Sequence, residues 1–302
     1  MPKAWVAQEL AADMPLSLGA ARILEVKLPE TLSYADAACG GDVDGVHDMR
    51  IGSKRLREAL RVLRVAVPEE ARSTLGKRVE GLNDALGEVR DLDVIGDAFS
   101  RLAQRSSRGA LLRPLCDNLS AQRKQAHARL VRCMSRLSSA RFARYYADIM
   151  AAMAGRDPAG QPTLLSFATE AIATRLDVVV AHWQATLEPW ELERFHRQRI
   201  RVKSLKYAIE PFIALLPPGI EPIYGLIAAL QESMGLVHDC DVQLDVLANW
   251  VAAHSTAPVY SMAEENILAR RQRSISHGSE LCRRMVAERW DGALRQLMSP
   301  SA

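Results

Sequence analysis

The chain has 302 residues, 48% of them hydrophobic and 25% charged, a balance that excludes a disordered chain and leaves room for two compact units or one internally duplicated domain. No apolar run approaches the roughly 20 residues needed to span a bilayer. The N-terminus holds Glu9 and Asp13 and no long apolar stretch, so it is not a secretory signal and a cytoplasmic protein without membrane contact is expected. The net charge of +3 conceals segregation: residues 101–145 carry eleven Arg or Lys against one acid, Asp117, and residues 194–206 carry six against none.

The spacing of apolar residues is helical almost everywhere. In 46–67, Val46, Met49, Leu56, Leu60, Leu63 and Val67 recur in steps of three, four and seven, which predicts an amphipathic helix; 164–187, 220–236 and 261–286 behave alike. Breaks are expected at Gly40-Gly41, Pro68, Gly87 to Asp93, Pro114, Gly155 to Pro162, Pro217 to Gly219 and Pro258. With no period-2 run or hairpin dipeptide, the fold class is all-α. The richest break, GRDPAGQP at 155–162, divides the chain into expected units 1–157 and 158–302. Cys39, Cys116, Cys133, Cys240 and Cys282 stand singly, with no CxxC pair, and read as reduced packing thiols.

One pattern occurs twice. His47-x-x-Arg50-x-x-x-Lys54-x-x-Arg57 is answered by His196-x-x-Arg199-x-x-x-Lys203-x-x-Lys206, and steps of three and four place each set in one row along a helix. Arg61 extends the first row by a turn, where the second has Glu210. The first row is the apolar row displaced by one residue, so it flanks the buried seam. Carboxylates at i+4 serve only Lys54, through Glu58, and Lys206, through Glu210. A row of like charges costs free energy unless something negative answers it, and two such rows suggest a two-sided site for a polyanion, with Arg forks and Lys point charges both suited to phosphate. His47 and His196 each begin a basic helix, where an imidazole either donates to an anion or packs and caps the helix start.

Farther along, Leu86-Gly87-x-x-Arg90-Asp91-x-Asp93-Val94 is matched by Met234-Gly235-x-x-His238-Asp239-x-Asp241-Val242, and Arg123 and Arg136 fall opposite Arg271 and Arg284. Each aspartate pair is expected to cap a helix, with orientation of a stripe cation as the alternative. His238, Asp239 and Asp241 have the ligand types for a metal. The equivalent of His238 is Arg90, which cannot ligate, so no metal or other cofactor is expected, and Arg90 and His238 read as further donors to an anion.

These motifs resemble the CHAD domain, the conserved histidine α-helical domain, over nearly the whole chain. The resemblance implies two pseudo-symmetric four-helix bundles whose basic helices face a central channel, non-catalytic binding of inorganic polyphosphate, and association with polyphosphate granules. Carried over, the contacts would be His47, Arg50, Lys54, Arg57, His196, Arg199, Lys203 and Lys206. Arg61, Arg90, Arg123, Arg136, His238, Arg271 and Arg284 are further candidates. Some family members carry a triphosphate-processing CYTH domain ahead of CHAD; there is no room for one here and no ExExK sequence, so a stand-alone CHAD protein is expected.

Two other functions compete. Duplex DNA also rewards basic helices, but aromatic residues are only 5% and neither a stacking platform nor a helix-turn-helix pattern lies beside the stripes, which disfavours nucleic acid as the partner. Phosphoanhydride cleavage needs a metal held by carboxylates or a P-loop; no GxxxxGK[ST] and no acidic cluster accompanies the rows, so no enzyme is expected.

Overall fold

The all-α class expected from the periodicity is the one observed. The computed structural model describes residues 4–105, 109–188, 191–254 and 257–299. Among them the chain forms α1 (Leu16–Leu32), α2 (Ala35–Cys39), α3 (Val43–Val62), α4 (Glu69–Arg105), α5 (Arg113–Leu137), α6 (Ala140–Ala154), α7 (Leu164–Ala181), α8 (Gln184–Leu187), α9 (Leu192–Ile209), α10 (Ile220–His254), α11 (Ala257–Ala287) and α12 (Trp290–Met298). The described residues include no β-strand; one isolated bridge joins Pro15 to Thr163. No helix among them is long and apolar enough to cross a membrane.

The apolar set Val46, Met49, Leu56, Leu60, Leu63 and Val67 is buried as a unit along α3 and the turn that follows it. Asp42 starts the helix by accepting from the Gly45 N–H at 2.6 Å, which satisfies one of the free donors of the first turn. A Ser53–Asn83 pair clamps α3 to α4: Asn83 Nδ2 donates to the Ser53 carbonyl at 3.1 Å, and Ser53 Oγ meets Asn83 Oδ1 at 3.2 Å.

The expected breaks fall between helices or, at Pro114 and Pro258, in the first turn of one, with one exception. α4 runs unbroken through Gly87 to Asp93, and α10 runs unbroken through the matching Gly235 to Asp241. A single glycine inside a helix costs only about 1 kcal/mol relative to alanine. In α4 that is outweighed by the buried row Leu82, Leu86, Val89, Ile95 and Phe99. At the usual rise, these 37- and 35-residue helices each span roughly 50 Å.

In the first half α1 packs on α3 and α6, α3 on α4, and α4 on α5. The second half repeats the order, with α7 on α9, α9 on α10 and α10 on α11. The halves meet where α3 touches α9, α4 touches α10 and α1 touches α7. One apolar cluster, from Leu16 to Met298, passes across the expected boundary at 157/158. A second cluster joins Phe99 and Leu115 to Leu247 and Ile267, again from both halves. The consequence for function is that the helices bearing the two basic rows, α3 and α9, lie against each other.

Candidate functional site

The rows converge because α3 and α9 pack side by side with their flanking faces turned to the same side. Lys54 sits at the centre. It is mostly covered, has no hydrogen bond or ion pair to any described residue, and feels the charges of Arg50 and Arg57 from its own helix and Lys203 from α9. Burial first, then those cations, bring its pKa down to about 7, with Asp91 opposing. Lys203 is lowered for the same reason, burial, reinforced by Arg57, Arg199 and Arg50 against the pull of Glu58. Arg199 is likewise lowered by burial and by Arg50 across the interface, with Asp239 opposing. The Nε groups of Arg50 and Arg199, equivalent positions in the two rows, are both buried without an acceptor among the described residues.

A cation held this way lowers the stability of the free protein. Lys54→Met keeps the length of the side chain and removes the charge, so in the absence of ligand it is expected to stabilise the fold by roughly 1–3 kcal/mol at neutral pH. The sign of the pH dependence follows from the lowered pKa: between about 7 and the ordinary lysine value the unfolded chain keeps a proton that the folded one has lost. Stability of the lysine form therefore climbs with pH across that window, and the advantage of methionine is largest below pH 7 and shrinks above it. Urea unfolding of both proteins at several pH values checks this; a Met variant less stable than the wild type at pH 6 contradicts it.

The histidines stand in equivalent surroundings. His47 is half-buried and, after burial itself, the charge of Arg90 does most to lower its pKa. In the other half His238 takes the place of Arg90, and its ring lies 5.2 Å from that of His196, centroid to centroid. Both rings titrate below the ordinary value, through burial and then the charge of Arg199. Each row therefore begins with a histidine facing the Arg90 or His238 position of the long helix behind it.

The aspartates do not cap helices, because they lie in mid-helix. Asp91 accepts from Arg50 Nη1 at 2.6 Å. Asp93 accepts from Arg123 Nε at 2.6 Å, and Arg123 Nη2 also donates to the carbonyl of Gly41 at 2.8 Å. Gly41 has φ +84°, a left-handed turn that glycine adopts at no steric cost, so Arg123 pins the link between α2 and α3. Asp241 accepts from Arg271 Nε at the same 2.6 Å. Asp239 is half-buried, forms no hydrogen bond to a described residue, and has its pKa raised by burial and by Asp91, while Arg199, Arg50 and Lys54 act in the other direction. Orientation of a stripe cation, the alternative reading, is observed at Asp91 through Arg50, whereas Asp93 and Asp241 hold Arg123 of α5 and Arg271 of α11, outside the rows.

The i+4 neutralisers also differ from expectation. Glu58 is buried and accepts from Arg57 at 3.0 Å rather than from Lys54, with Arg61 at 3.9 Å. Glu210 accepts from Arg55 at 2.7 Å, and Lys206 donates instead to Gln231 Oε1 at 3.2 Å. Lys206 is only 3% exposed and lies over the Tyr207 ring, so it packs in the core, apart from the other cations of its row. Arg61 is at the rim, 67% exposed along its side chain. Arg284 is engaged by Glu288 on the outer surface at 2.7 Å, and Arg136 is exposed near the end of α5; among the described residues no interaction joins either to the rows. Among the described residues no three His, Cys, Asp or Glu side chains are grouped as a metal ion requires.

The arrangement is a cluster of cations, Arg50, Lys54 and Arg57 from α3 and Arg199 and Lys203 from α9, with His47 near Arg90 and His196 near His238 at the ends of the rows, and with Asp91 and Asp239 within the fields of these cations. Comparison with known proteins adds a family and two solved structures of similar fold. The CHAD domain family model matches residues 22–248. The crystal structure of the CHAD domain from the plant Ricinus communis superposes with a TM-score of 0.67 at 24% identity, covering 93% of this chain and 97% of that one. PptA from Streptomyces chartreusis superposes with a TM-score of 0.62 at 18% identity, covering 89% and 98%. No curated protein matches the chain.

Proposed function

Because the chain belongs to the CHAD domain family, we propose that it binds inorganic polyphosphate, without cleaving it, in the basic cleft between α3 and α9, and that this binding recruits it to polyphosphate granules. The observation that carries the reading is the pair of uncompensated lysines, Lys54 and Lys203, set against each other from two halves of the chain with the buried Nε groups of Arg50 and Arg199 beside them. Burying cations without partners costs several kcal/mol, a cost that an anion entering the cleft removes. A chain of phosphates suits the geometry because Arg50 to Arg57 alone extends over about 10 Å of helix, more than one phosphate spans. Each lost contact can be taken up by the next phosphate along, so many weak contacts act together.

Titrating the protein with long-chain polyphosphate in a calorimeter tests the reading. Affinity should fall steeply with added salt, as counterions are released from the polyanion. It should also rise as pH falls from about 8 to about 6: an anion favours the charged form of Lys54, whose pKa is about 7 in the free protein, so binding takes up a proton. His47, His196 and His238 act in the same direction, since each gains charge as pH falls. Absence of saturable binding overturns the proposal. Phosphate release in the presence of Mg²⁺ or Mn²⁺ overturns its non-catalytic part. Displacement by duplex DNA at equal phosphate concentration reassigns the cleft to nucleic acid.

A further inference from the structure

Two carboxylates stand inside the basic cleft, one from each half. Asp91, on α4, accepts from Arg50 at 2.6 Å while its side chain remains 62% exposed. Asp239, its counterpart on α10, forms no hydrogen bond to a described residue and lies within the fields of Asp91, Arg199, Arg50 and Lys54. Asp91 also acts on His238 and on Lys54. α4 and α10 touch, so this pair of like charges is held at the crossing of the two halves. Asp93 and Asp241, two residues on, are turned to other helices, anchoring α4 to α5 and α10 to α11 through Arg123 and Arg271, so it is Asp91 and Asp239 that meet the rows.

We propose, resting on polyphosphate binding in this cleft, that Asp91 and Asp239 are selectivity residues: resident counter-anions that exclude orthophosphate and pyrophosphate and admit only a polyanion long enough to reach past them. A single phosphate entering between the rows must replace Asp91 as the acceptor of Arg50 and then lie beside two carboxylates. It exchanges one charge-assisted bond for another and adds repulsion, so its net gain is small. A long chain meets the same two carboxylates once, but its other phosphates reach Lys54 and Lys203, which form no bond to a described residue, and Arg57, held by Glu58 alone. Selectivity then comes from a repulsive element that the longer ligand alone can outweigh.

The test compares the wild type with Asp91→Asn combined with Asp239→Asn, titrated at fixed pH and salt with orthophosphate, pyrophosphate and long-chain polyphosphate. Asparagine keeps the side-chain shape, and thermal melting verifies the fold. A control, Asp84→Asn with Asp245→Asn, removes the same charge from exposed positions on the same two helices. The expected result is that the cleft variant binds orthophosphate and pyrophosphate roughly ten-fold more tightly while long-chain affinity moves less than about three-fold, so the ratio collapses; the control keeps the wild-type ratio. Equal gains for short and long ligands, no gain for either, or an equal collapse in the control overturns the selectivity role while long-chain binding itself stands. A wild type that binds no long-chain polyphosphate overturns both.

Discussion

Reversing two charges in the cleft, Lys54→Glu with Lys203→Glu, is expected to weaken binding of long-chain polyphosphate about a hundred-fold, or about 3 kcal/mol. Each substitution removes a donor to an anion and puts a carboxylate where phosphate would lie, so loss of attraction and gain of repulsion add. The effect is separable from unfolding. A glutamate at either position enters a field already made positive by Arg50, Arg57 and Arg199, which can pair with it, so the double variant is expected to melt no lower than the wild type. Binding lost together with a lowered melting temperature would leave the cleft unassigned; binding retained at wild-type strength would place the ligand elsewhere.

Arg55→Met is expected to cost roughly 3–5 kcal/mol of stability and to leave the cleft cations in place. Arg55 points the other way from its neighbour Lys54. It is buried, donating from Nη1 to Glu30 of α1 at 2.9 Å and from Nε to Glu210 of the second half at 2.7 Å. Glu30 is completely buried and also accepts from Lys27 at 3.0 Å, and Lys27 donates to the carbonyl of Trp5 at 2.6 Å. One guanidinium thus ties α1, α3 and the segment after α9 together. Methionine fills the space but takes the guanidinium from two carboxylates, leaving Glu30 with Lys27 and Glu210 with the Tyr224 hydroxyl, and a buried charge that loses a partner costs more than the ion pair itself contributes. Urea unfolding measures the loss. A change below about 1 kcal/mol would mean that Glu30 and Glu210 take up protons or find other donors.

The contrast between Lys54 and Arg55 also marks how far the sequence could be read. Periodicity was sufficient for the class of fold, since an amphipathic row such as Val46, Met49, Leu56, Leu60 and Leu63 has one way to be buried. It also placed the basic row beside that seam, where Lys54 is found. What it could not supply was pairing across the chain. Glu58 and Glu210 stand at the i+4 spacing from Lys54 and Lys206, yet each answers an arginine instead, and in the case of Arg55 the partner is 155 residues away in sequence. A signal for this network existed: Arg55 falls on the apolar side of α3 and Glu30 stands at helical spacing from Ile23 and Val26, two charges that burial obliges to find partners. Lys206 shows the converse, a residue that shares the repeated pattern but, one register step into the core, packs on Tyr207 and Gln231.

Gly87 to Asp93 misled for a different reason. Glycine followed by aspartates is the local signature of a helix end, and only the long-range demand of the buried row in α4 overrides it. Once the helix is continuous, its aspartates must find donors outside it, and the donors are the arginines of α3 and α5. The repeat between halves carried more information than either copy. Arg90 opposite His238 pointed away from a metal ligand, and the two positions do occupy matching places, each beside the histidine that opens a basic row.

The most direct test of polyphosphate binding between the two rows is the titration of the Lys54 ammonium, followed by NMR of the lysine side-chain nitrogens with and without long-chain polyphosphate. In the free protein Lys54 should titrate at about 7. Bound polyphosphate should move it most of the way back to the ordinary lysine value near ~10.4, because the anion supplies the counter-charge that burial withholds. A Lys54 titration that stays where it was while polyphosphate is bound would contradict the cleft as the binding site.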